Sequence, residues 1–94
     1  MEIKQTKNII EVNGVIKTIN NSQLLVDAIK EAAKTGSVVL KINDSFSLPS
    51  TVIGELLKLK DNDVDITIEI KDEILYELLD DLNLVDTFNI KKVS

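Results

Sequence analysis

Hydroxyl groups crowd one short stretch of this chain: Ser45, Ser47, Ser50 and Thr51 all fall within SFSLPSTVIGELLKL, residues 45–59. Two kinds of chemistry are open to them. They can cap the unsatisfied N–H groups at a helix start, or they can accept a phosphoryl group there, where the helix dipole favours added negative charge. Nucleophilic catalysis by a hydroxyl needs an adjacent base. The chain has no His and no Cys, and none of its carboxylates is placed by pattern opposite a nucleophile. The expected activity is therefore non-enzymatic. No cofactor is expected either, since thiolate-held zinc and iron–sulfur sites are excluded and three isolated glycines cannot form a phosphate-cradling loop.

Two acidic groupings call for a reading. Asp61, Asp63, Asp65 and Asp72 have some of the spacing of a calcium loop, but Ile66 stands at the sixth position, where the turn requires Gly. The segment reads instead as a solvated turn that stops a helix. Glu73, Glu77, Asp80 and Asp81 read as the outer face of a helix, able to steer a basic partner.

The elements that must position these residues follow from periodicity. Polar alternation predicts an edge strand at residues 2–6, a turn at Lys7-Asn8 and a second strand at 9–12. Asn13-Gly14 is either a hairpin that pairs 9–12 with 15–18, or the end of a strand. Asn20-Asn21-Ser22 supplies a helix start, Leu25, Ala28, Ile29, Ala32 and Ala33 an apolar face, and Thr35-Gly36 a stop. Residues 37–42 form the central strand, and 38–42 are nearly all apolar, which predicts a strand covered on both faces. Val52, Ile53, Leu56 and Leu57 make the stripe of a helix reaching about Lys60, with Ser47, Ser50 and Thr51 at its N-terminus and Pro49 at an early helical position. Ile66, Ile68 and Ile70 alternate as a half-exposed strand does. Asp72 caps a helix whose apolar positions are Ile74, Leu75, Leu78, Leu79 and Leu82, with Tyr76 partly buried beside them, and residues 88–93 form a last strand.

The order β-β-α-β-α-β-α-β predicts an α/β fold, a mixed and mostly parallel sheet of about four to five strands with about three helices. At 94 residues, 44% apolar and 29% charged, the chain has the composition of a single small globular domain. Its net charge of −5 and scattered basic residues argue against nucleic acid as a partner. No apolar run approaches the roughly 20 residues that cross a bilayer, and the first residues lack a signal-peptide core. A cytoplasmic location without direct membrane insertion is expected.

The pieces VNGVI (12–16), SVVLKI (37–42), PSTVIGELLKL (49–59) and LNLVDTFNI (82–90) resemble, in order and spacing, the STAS domain of anti-sigma factor antagonists. The first looks like that family's Gly-containing end of the second strand, which favours the strand-end reading of Asn13-Gly14. The third looks like its Asp-Ser-Ser/Thr-Gly-Leu-Gly segment. Aligning Ile53-Gly54 with the Leu-Gly pair puts Ser50 and Thr51 on the two hydroxyl positions, with Thr51 on the usual phosphoacceptor. Pro49 stands where the family has Asp, and Val52 where it has Gly. The resemblance implies a protein-interaction module that binds an anti-sigma factor with Ser/Thr kinase activity, or alternatively a non-phosphorylated subunit beside a transporter ATPase. It implies docking through Ser47, Pro49, Ser50, Thr51, Val52, Gly54 and Glu55. Gly54, a costly residue within a helix, would let a partner or the chain's own strands come close.

Overall fold

The three inner strands of this protein bury alternate residues, and that alternation sets the architecture. The computed structural model describes residues 1–94 as β1 (Glu2–Thr6), β2 (Ile9–Asn13), α1 (Ile19–Ala33), β3 (Ser37–Ile42), α2 (Ser50–Asp61), β4 (Asp65–Ile70), α3 (Glu73–Asp81) and β5 (Ile90–Lys92). The five strands form one sheet in chain order, with β1 antiparallel to β2 and the rest parallel. This is the mixed α/β sheet that the order of elements predicts.

Each crossover steps to the next strand in the same direction, so right-handed connections place all three helices on one face. Ile10, Val12, Val38, Leu40, Ile42, Ile66, Ile68 and Ile70 point into that layer and are buried with Leu25, Ile29, Val52, Leu56, Leu75, Leu79 and Phe88. The other face is open. β3 is thus covered on one side only, contrary to the expectation from its apolar run: Val39 and Lys41 lie half-buried on the open face. The run misled because Val39 is aliphatic as well.

Other boundaries shift for local reasons. Thr18, not Asn20 to Ser22, caps α1: its side chain accepts from the Asn21 N–H at 3.0 Å while Asn21 Oδ1 accepts from the Thr18 N–H, a reciprocal capping box. Pro49 is the N-cap of α2, one residue outside the helix, and its carbonyl accepts from Val52 and Ile53. Asn13-Gly14 makes no hairpin; Gly14 has φ +89, and a Cβ there would stand 3.1 Å from the Met1 Cα. β5 begins two residues later than expected because Asn89, at φ 52, breaks the extension after buried Phe88. In α3, Leu75 and Leu79 are buried, whereas Ile74, Leu78 and Leu82 are exposed. The stripe is there, but only half of it meets the core.

The open face carries an ordered polar cover. Register sets Lys4 opposite Glu11, Glu11 opposite Lys41, Lys41 opposite Glu69 and Glu69 opposite Lys91, so charges alternate across all five strands. Beside them Asn43 Nδ2 donates to Glu11 Oε2 at 3.0 Å and to Asn13 Oδ1 at 2.8 Å, and Asn8 Nδ2 donates to Ser37 Oγ at 2.7 Å. Substituting Lys41→Glu sets three carboxylates side by side, and a loss of about 1–2 kcal/mol is expected from two reversed cross-strand pairs. Urea unfolding at low salt measures it, and at about 1 M NaCl much of the loss should vanish by screening. An unmoved midpoint would show that the ladder carries no energy.

Candidate functional site

The hydroxyl stretch lies at the carboxyl edge of the parallel strands, where the β2–α1 and β3–α2 connections meet. Backbone direction brings them there: every parallel strand delivers its connection to the same edge. Ser45 joins the two loops. Fully buried, its Oγ accepts from the Ile16 N–H at 3.2 Å and the Ser47 N–H at 3.3 Å and donates to the Ser47 carbonyl at 2.7 Å. Ser47 Oγ donates to the Ile16 carbonyl at 3.3 Å, and Asp44 Oδ2 accepts from the Gly14 N–H at 2.9 Å. These bonds hold residues 43–49 as a fixed platform.

The residues singled out from sequence divide between platform and surface. Ser50, Thr51 and Gly54 are exposed, and Pro49 and Ser47 are half-buried. Ser47 spends its hydroxyl within the platform. Val52 is fully buried in the core, so it cannot meet a visitor and leaves the docking set; the same apolar stripe that makes the helix turns this residue inward. Glu55 has a side chain only 13% exposed and lies 3.9 Å from Lys30 of α1, so it joins helix to helix. Gly54 packs against nothing: a Cβ placed there would find no atom within 4 Å. The chain's own strands therefore give no reason for this glycine.

Phe46 escaped the sequence reading. It sits between the two anchored serines with 56% of its surface exposed. The available signal was the alternation Ser45, Phe46, Ser47, Leu48, with Ser45 and Leu48 turned inward; nothing in the residue types told which members face out. The platform thus holds up an aromatic ring beside an α2 N-terminus that no side chain caps. Such an arrangement offers apolar contact area, free first-turn N–H groups and two hydroxyls.

The fold has no enclosed pocket, and no group of three or more acidic side chains is arranged to hold a metal ion. Asp61 ends α2 and Asp63 turns the chain at φ 63 into β4. Compared with known proteins, the chain matches no family model, no curated protein and no solved structure.

Two substitutions separate platform from surface. Ser45→Ala strands the buried Ile16 N–H and should lower stability by about 1–3 kcal/mol in urea unfolding, while Ser50→Ala should stay within about 0.5 kcal/mol. Gly54→Ala should raise stability by about 1 kcal/mol, because the methyl meets no obstacle and removes the entropic penalty of glycine in a helix; a loss instead would reveal a contact that the fold does not show.

Proposed function

We propose that this protein is a non-enzymatic interaction module that docks another protein on the β3–α2 platform and the outer face of α2. The observation that carries the reading is Phe46, a large apolar side chain held out on a loop whose backbone is bonded in place. Leaving such a ring in water on an anchored loop is the signature of a contact anchor, because little conformational entropy is lost when a partner covers it. Gly54 supports the reading from the same helix, since the bare backbone there admits close approach.

The resemblance to anti-sigma factor antagonists supplies the partner class: an anti-sigma factor with Ser/Thr kinase activity. Thr51 is the candidate phosphoacceptor and Ser50 the second. Both stand in the first turn of α2 with no side-chain cap in competition. A phosphate there would add roughly −1.5 to −2 charge where the helix dipole accepts it, so the fold would survive while the docked partner was repelled. Pro49 at the N-cap favours a second reading, an unphosphorylated subunit beside a transporter ATPase. Pro49 replaces the carboxylate that the family carries two residues before its acceptor, and with it part of what a kinase reads.

Affinity capture with the intact chain, beside Phe46→Ser and Gly54→Arg, tests the docking face. Captured partner should fall about tenfold or more with either change while the urea midpoint of Phe46→Ser barely moves. Equal capture by all three chains would end the reading. Incubation of the captured kinase with ATP and the chain, followed by intact-mass measurement, tests the switch: one added phosphate, lost in Thr51→Ala with Ser50→Ala, is expected. Recovery of an ATPase with no mass change selects the second reading.

A further inference from the structure

The helical layer is not closed. α1 packs on α2, but no Cα of α2 comes within 8 Å of a Cα of α3. The Lys30–Glu55 pair fixes which flank of a helix faces its predecessor: in α2 it is the flank of Glu55, reached by turning back about 80° from the buried Val52–Leu56 line. All three helices lie antiparallel to their strands in one layer, so the same flank of α3 faces α2. Counted from the buried Leu75–Leu79 line, that flank carries Ile74, Leu78 and Leu82. They are 70%, 47% and 53% exposed. On the opposing flank of α2 stand half-buried Ile53 and exposed Leu57, the latter at 39%. The two helices thus bound a shallow furrow with an apolar bank on each side.

Charge says what fits there. Next to the leucine stripe, the outer face of α3 carries Glu73, Glu77, Asp80 and Asp81, all exposed, and no basic residue occurs in the helix. The α2 bank has Lys60 with Asp61 beside it, which leaves the furrow acidic as a whole. An anionic lipid surface is repelled by such a rim. A second copy brings the same four carboxylates and the same net charge of −5. An amphipathic helix with Lys or Arg flanking its apolar stripe answers both features.

We propose that the α2–α3 furrow is a docking site for a basic amphipathic helix of a partner protein, seated on Ile74, Leu78 and Leu82 and steered by the acidic face of α3. The stripe spans eight residue steps, about 12 Å of helix axis, which a partner helix of two to three turns covers. The site stands apart from the first phosphoacceptor candidate, Thr51, which lies on the α1 side of α2, away from the furrow.

The probe is a fluorescein-labelled peptide of about 15 residues made of Leu and Lys, with Leu at i, i+3 and i+4 spacing so that one apolar face forms. Its comparator has the same composition with the leucines spread around the helix. Anisotropy titration of the intact chain should give micromolar binding, weakened about tenfold by Leu78→Ser or Ile74→Ser and by the comparator peptide, and several-fold by raising NaCl to about 0.5 M. Leu24→Ser on α1, a leucine equally exposed but outside the furrow, should leave binding unchanged. Amide shifts should concentrate in residues 53–60 and 74–82. Equal binding by the comparator peptide, equal binding by both furrow variants, or shifts centred on α1 or the open sheet face would overturn the proposal. So would a dimer in sedimentation equilibrium that Leu78→Ser dissolves, since the occupant would then be a second copy.

Discussion

With every helix on one side, the cross-strand row Ile10, Leu40, Ile68 and Ile90 has a single layer to bury it, and α1, α2 and α3 must share the task. Two helices meet and the third stands off. A three-helix cover over five strands leaves the apolar face of α3 only half used, and the residues that would have sealed the layer remain in water. Apolar area left exposed in this way costs about 25 cal/mol per Å² relative to burial. It is the kind of exposure that a folded surface reserves for contact.

The carboxyl edge of the sheet solves a different problem. Loops at this edge must satisfy their backbone groups without a regular partner, and one buried hydroxyl, Ser45, satisfies three of them. Because Ser45 and Ser47 are committed to the chain itself, Ser50 and Thr51 are left free at the surface. The hydroxyls are thus sorted by depth: the deeper pair makes the platform rigid, and the outer pair is accessible to modification on it.

Much of the fold was legible because it was local. The Ile66, Ile68, Ile70 alternation, the Asp72 cap and the Thr35-Gly36 stop each declare themselves within a few residues, and the order of elements then leaves few topologies. What local pattern could not show was coverage. Val39 reads like a core residue although its side faces the open sheet, and the Ile74, Leu78, Leu82 stripe reads like core although α2 stands too far off to cover it. The site was legible as a stretch, not as roles. Nothing about Ser45 in the chain separates it from Ser50, because depth is conferred by residues 14–17, thirty positions away; and the solvent-facing Phe46 was hidden among neighbours that turn inward.

The polar ladder on the open face has a consequence for how the strands find one another. Sliding β4 along β3 by one residue would turn Ile66, Ile68 and Ile70 outward, and burial alone forbids it. Sliding by two keeps every isoleucine inside: in one direction Val38, Leu40 and Ile42 would meet Val64, Ile66 and Ile68, and in the other only Ile42 would lose an aliphatic partner, to Asp72. In that misalignment Lys41 would face Lys71 or Thr67 in place of Glu69. The outer charges thus act as a vernier, telling apart alignments that look nearly alike to the greasy side.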